Sequence, residues 1–83
     1  MHHTIKPYKT LAFNYLLKKT IQPEQVKLGF DNGFSEWKEQ PTSISIKDKS
    51  LEFEHQFNQT GFYDVHLYID NDLISTYTVE VKK

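Results

Sequence analysis

Apolar and polar residues alternate with a period of two along almost the whole chain, the pattern of strands that bury one face and expose the other. Leu11, Phe13, Tyr15 and Leu17 share one face of a first long segment. Leu16 interrupts that alternation and leaves an amphipathic helix open, but the segment is read as a strand. Gln22-Pro23-Glu24 punctuates the chain. Val26, Leu28 and Phe30 then alternate with Lys27, Gly29 and Asp31 before Asn32-Gly33, a dipeptide that favours a two-residue type I′ hairpin because both positions tolerate positive φ. Pairing outward from that turn sets Asp31 opposite Phe34, Phe30 opposite Ser35 and Leu28 opposite Trp37, with Lys27 beside Lys38. Leu28 and Trp37 then share the inner face.

Two further hairpins are tested by the same register arithmetic. A loop Lys47-Asp48-Lys49-Ser50 pairs Ile46 with Leu51 and Ile44 with Phe53, so all four apolar side chains fall on one side. A three-residue loop Asp70-Asn71-Asp72 pairs Ile69 with Leu73, Leu67 with Ser75, Val65 with Tyr77 and Tyr63 with Val79. A two-residue loop would set Tyr77 against the outward His66 instead. Strands at roughly ten-residue spacing, with no internal repeat or linker, predict one all-β domain over residues 1–83. Its expected form is an antiparallel β-sandwich of about seven strands. The same parity places Phe13, Phe30, Phe53, Phe57, Tyr63 and Tyr77 inside, and Phe34, Phe62 and Tyr68 outside.

With 83 residues and no cysteine, the chain has room for one small core and no disulfide to brace it. Six Phe, five Tyr and one Trp supply large buried areas per residue, which suits a compact β core. Ten lysines and no arginine against eleven acids give a net charge of −1, which removes the case for a nucleic-acid partner. No window holds the 18 or so apolar residues of a membrane span, and the first residues lack the pattern of a signal peptide. No membrane insertion is expected. Absence of cysteine fits a reducing cytosol and a cysteine-poor surface protein equally, so the compartment stays open.

The histidines argue against catalysis and against a metal. His2 and His3 stand at a terminus expected to fray, His55 has inward parity and His66 outward parity, and no HExxH or H-x-H spacing is present. None of Ser43, Ser45, Ser50 or Ser75 lies on a glycine-flanked elbow. No cofactor is expected, and a non-enzymatic role follows. Asp70-Asn71-Asp72 has the oxygens to begin a calcium site, although a turn of Asp and Asn in the left-handed region is the commoner reason for such a run. Asn58-Gln59-Thr60 is a glycosylation sequon, of consequence only in a eukaryotic secretory pathway.

Thr60-Gly61-Phe62-Tyr63-Asp64-Val65 resembles the tyrosine corner of immunoglobulin-like sandwiches, where a Tyr hydroxyl bonds back to the backbone just upstream. Val65 stands where antibody domains carry a cysteine. Aromatic rings among polar side chains are the chemistry of sugar recognition, and Phe34 and Trp37 near Asp31, Asn32, Glu36 and Lys38 fit it. The stretches Leu11–Lys19, Val26–Lys38, Leu51–Phe53 and Gly61–Asp72 resemble the starch- and glycogen-binding modules of the immunoglobulin-like type. That resemblance implies an α-glucan, polysaccharide or oligosaccharide, bound by Trp37 as stacking platform with Asp31, Asn32, Lys38 and Asn71 as polar contacts. Two alternatives stand beside it. The alternating end Thr76–Lys83 also looks like bacterial or phage immunoglobulin-like spacer and adhesion domains, and an exposed edge strand would make the chain a small protein-interaction domain.

Overall fold

The computed structural model describes residues 2–83; Met1 and the side chain of His2 lie outside the described residues. Among the described residues eight strands form two sheets: β1 His2–Ile5, β2 Thr10–Leu16, β3 Val26–Asp31, β4 Glu36–Glu39, β5 Ser43–Lys47, β6 Ser50–Gln56, β7 Gly61–Ile69 and β8 Asp72–Val81. A five-stranded sheet has the order β1-β8-β7-β3-β4 and a three-stranded sheet the order β2-β6-β5. Their inner faces close on one another as a sandwich. Among the described residues the only helical element is a 3₁₀ turn at Pro23–Gln25.

The core follows the alternation. β3 contributes Val26, Leu28 and Phe30, β7 contributes Tyr63, Val65 and Leu67, and β8 contributes Tyr77, Val79 and Val81. Phe13, Leu51 and Phe53 face them from the smaller sheet, while Leu17, Ile21 and Phe57 seal the ends. Phe13 and Phe53 are direct cross-strand partners and stack at 4.9 Å, and Phe13 meets Tyr77 of the other sheet edge-on at 5.0 Å. Such pairs add roughly 0.5 to 1.5 kcal/mol each beyond the area they bury.

Residues 2–5 do not fray as expected. β1 pairs parallel with the end of β8, from His2 opposite Thr78 to Ile5 opposite Val81, and the His3 ring meets Phe13 edge-on at 6.0 Å. This raises the strand number to eight and makes the larger sheet mixed rather than purely antiparallel.

The β5–β6 pairing has the predicted register, Ile46 with Leu51 and Ile44 with Phe53. In the β7–β8 hairpin Leu67–Ser75, Val65–Tyr77 and Tyr63–Val79 also pair as predicted, but Ile69 faces Asp72 instead of Leu73. The loop is a two-residue turn in which Asp70 (φ 53°) and Asn71 (φ 68°) both lie in the left-handed region. A register shift at Leu67/Tyr68 then leaves Ile74 as the extra residue of β8. That β-bulge reconciles a short turn with the inward parity of Tyr77.

The β3–β4 turn differs more. Asn32-Gly33 is not a type I′ pair, since Gly33 has φ 89° whereas Asn32 is not in the positive region. Asp31 Oδ1 accepts the Gly33 N–H at 2.8 Å, Asn32 Oδ1 accepts those of Phe34 and Ser35 at 2.9 Å, and the Asn32 N–H reaches the Ser35 carbonyl. Side-chain oxygens thus satisfy the turn locally and widen it to four residues. The register moves by two: Phe30 faces Trp37 and Leu28 faces Glu39. An even shift preserves parity, so Trp37 keeps the inner face. The Lys27–Lys38 pairing is lost, with Lys38 opposite Gly29.

Where the chain leaves the smaller sheet for β7, the Tyr63 hydroxyl donates to the Gln59 carbonyl at 2.9 Å. Gly61 has φ 145°, a conformation that disfavours any side chain. Burial pushes the Tyr63 phenol pKa up, which keeps it a proton donor. Tyr63→Phe is expected to cost about 1 to 3 kcal/mol by orphaning that carbonyl. An unchanged urea midpoint would show that the bond carries no stability.

Candidate functional site

The six residues singled out as a sugar site fall into three places. Trp37 is on the inner face, half-buried at the open side of the sandwich, stacked on Phe30 at 5.6 Å and 17° and edge-on to Tyr63 at 6.4 Å. Its indole N–H donates to Glu39 Oε1 at 3.1 Å. Parity therefore places Trp37 at the margin of the core, with part of its surface open. Asn71 lies in the β7–β8 turn, at the opposite end of β3 from Asn32, because Val26 pairs with Ile69 and Asp31 with Asp64. Six strand residues separate the two ends by roughly 17 to 20 Å, so Asn71 cannot join a site at the β3–β4 loop. Its neighbour Asp70 accepts from the Gln25 side-chain amide at 2.7 Å and serves the turn.

Lys38 occupies a third place, on the outer face of the larger sheet. Its ammonium sits over the Tyr68 ring, 4.5 Å from the centroid. Tyr68 in turn packs across Gly29, where a Cβ would stand 2.7 Å from Tyr68 Cε2. Glycine there is a matter of space for the ring. His66 beside it approaches the Thr76 hydroxyl at 2.9 Å, and Gly29, Lys38, His66 and Tyr68 line an open recess of about 220 Å³ together with Phe30, Glu36 and Trp37. Glycine beneath Tyr68 and lysine above it leave this aromatic poorly placed to stack on a ligand.

Asp31 and Asn32 do come together, and Gly33, Phe62, Tyr63 and Asp64, none of them assigned to the site from the sequence, join them, while Phe34 stands apart on the adjoining loop. Phe34 is 98% exposed at the tip of the β3–β4 loop, and Phe62, on the outer face of β7, is 61% exposed. Phe62, Asp64, Asp31, Asn32, Gly33 and Tyr63 line an open recess of about 210 Å³. Asp31 faces Glu36 on one neighbouring strand and Asp64 on the other, so three carboxylates cross the outer face in one row. The row continues to Thr78, whose hydroxyl donates to Asp64 Oδ1 at 3.1 Å, and Phe62 pairs with Glu80. Among the described residues the single ion pair is His55–Glu39, so no lysine forms a close ion pair with these acids. Like charges directly opposite destabilise a sheet, and such local conflicts concentrate at functional surfaces.

The inward histidine is the other unusual group. His55 packs against Phe30 at 4.5 Å and Phe57 at 5.0 Å, its Nδ1 is buried without a partner, and Nε2 lies 3.7 Å from Glu39 Oε2. Burial lowers its pKa below the usual 6.5, with the Glu39 carboxylate opposing that shift. The unfolded chain therefore takes up a proton near pH 6.5 before the folded chain does. Stability is complete above about pH 6.5 and falls as the pH drops through the folded value. Urea midpoints at pH 7.5 and 5 are expected to differ more for the native chain than for His55→Leu. Equal differences would place the pH sensitivity elsewhere.

No group of three or more His, Asp or Glu among the described residues is arranged to hold a metal ion, and no helix among them is long and apolar enough to cross a membrane. Comparison with family models, curated proteins and solved structures finds no match to the chain.

Proposed function

We propose that the chain is a non-catalytic, immunoglobulin-like binding module that takes a neutral oligosaccharide, an α-glucan by the sequence resemblance, at the Phe62 end of the larger sheet. The immunoglobulin-like part rests on the order β8-β7-β3-β4 opposite β2-β6-β5, and on the tyrosine bond at the crossing between sheets. The single observation that carries the binding part is Phe62: a large ring left open on a flat β surface, beside a recess lined by Asp31, Asn32 and Asp64. A sugar ring stacks its apolar face on such an aromatic while carboxylates accept its hydroxyl protons. The row of acids, none of them in a close ion pair with a lysine, disfavours a phosphate or an anionic sugar. Phe34, on the adjoining loop, supplies a second exposed ring.

An open recess gains only about 4 to 8 kcal/mol, which corresponds to millimolar to micromolar dissociation constants. Titration with maltooligosaccharides is expected to shift the backbone amides of residues 31–34 and 62–64. Phe62→Ala should abolish those shifts while changing stability by less than about 0.5 kcal/mol, as for other exposed positions. Shifts that survive the substitution would move the site. Absence of any shift at saturating sugar would favour the second reading, a spacer or adhesion domain. One observation speaks for that reading: Trp37, the residue best suited to stacking, is spent on packing against Phe30 and Tyr63.

A further inference from the structure

The three-stranded sheet ends in β2, and no strand among the described residues covers its outer side, because β1 adds to the other sheet. β2 is seven residues long and contains neither a charged residue nor a proline, the two commonest devices that keep a sheet edge from pairing. Leu17 donates its N–H to the Lys49 carbonyl, so by antiparallel alternation the odd residues of β2 bond to β6. Thr10, Ala12, Asn14 and Leu16 then direct N–H and C=O outward, as a template for another strand. At the end of that edge a groove of about 320 Å³ opens between the sheets, its apolar walls including Tyr15, Leu17, Ile69, Leu73 and Ile74. Leu73 is 57% and Ile74 39% exposed, although both are large aliphatic side chains.

Charge selects the occupant. Lys9 precedes β2, and Lys18 and Lys19 follow it and border the groove. Antiparallel pairing of two copies through β2 would set Lys9 of one chain beside the Leu17-Lys18 end of the other, at both ends of the pair. The edge is thus open to strands in general and repels its own copy. We propose that β2 is the docking edge for an extended segment of a partner protein, with acidic residues flanking an alternating apolar run. Main-chain bonds to Thr10, Ala12, Asn14 and Leu16 hold the segment. Its inward side chains beside Tyr15 and Leu17 enter the groove, and its acids meet Lys9, Lys18 and Lys19. This surface is separate from the recess at Phe62, so neither proposal depends on the other.

The test uses the full chain and two pools of synthetic nonapeptides with randomised β-branched and aromatic alternation, one with glutamates at both ends and one with lysines. The glutamate pool is expected to be retained and to shift the amides of Ala12, Asn14 and Leu16. Substituting Lys18→Glu and Lys19→Glu together should weaken that retention by roughly five- to tenfold and leave the thermal midpoint unchanged, since both side chains are exposed. Equal retention of the two pools, retention of neither at millimolar peptide, or amide shifts away from β2 would overturn the proposal. Sedimentation of the chain alone as a dimer, with the β2 amides protected from exchange, would assign the edge to a second copy and overturn it as well.

Discussion

Replacing Phe30 by alanine is expected to cost about 3 to 5 kcal/mol, the range for a fully buried aromatic ring. Phe30 is 1% exposed near the end of β3 and joins three parts of the core: Trp37 of β4 stacks on it, His55 of β6 tilts against it at 4.5 Å, and Phe57 meets it edge-on at 6.0 Å. Truncation therefore opens a cavity between the sheets and leaves the partly desolvated His55 without its closest ring. A domain of this size has a total stability of only about 4 to 12 kcal/mol. Phe30→Ala should therefore remove about a quarter or more of that stability and lower the urea midpoint accordingly, whereas Phe30→Leu, which keeps most of the volume, should lose only about 1 to 2 kcal/mol. A urea midpoint for Phe30→Ala close to that of the native chain would mean that the sheets collapse onto the cavity with little loss.

How far the fold could be read from the sequence depended on where each strand finds its partner. β5–β6 and most of β7–β8 join neighbours in the chain, so turn length and parity together determine their register. Parity also survived the error at β3–β4. Asp31 and Asn32 cap the loop with their own side-chain oxygens, a use of these residues that the dipeptide Asn32-Gly33 does not distinguish from a type I′ turn. Because the displacement is even, Trp37 stayed on the predicted face with a different partner. The bulge at Ile74 shows the converse, a turn shorter than predicted with the distal register intact. β1 was out of reach, since four residues with two inward positions carry little periodicity and their partner lies at the far end of the chain.

The candidate site was legible in its kinds of residue and not in its assembly. Outward parity identified Phe34, Phe62 and Tyr68, and all three stand outside the core. The sequence offered no reason to join Phe62 and Asp64 to Asp31, because β3 and β7 pair across the intervening β4, β5 and β6. Only the resemblance groups Asn71 with Asn32, and the antiparallel pairing of those same two strands sends them to opposite ends of the sheet.

Trp37→Ala distinguishes a core margin from a ligand platform and is the second large effect expected. Phe30 covers one face of the indole, Tyr63 meets its edge and Glu39 holds its N–H, while the remaining surface is open at the side of the sandwich. Partial burial places the cost near the low end for a large aromatic, about 3 kcal/mol. Part of that loss is indirect, because Glu39 is the group shared between the Trp37 N–H and His55 Nε2. Truncation frees the carboxylate to pair more closely with the imidazole, and the His55 pKa should rise towards its ordinary value. Urea denaturation followed by circular dichroism measures the first effect, and a histidine proton titration the second. Amide shifts on sugar titration at residues 62–64 should persist in the folded fraction of the variant. Loss of sugar binding with an unchanged urea midpoint would restore Trp37 as the platform and displace Phe62 from that role.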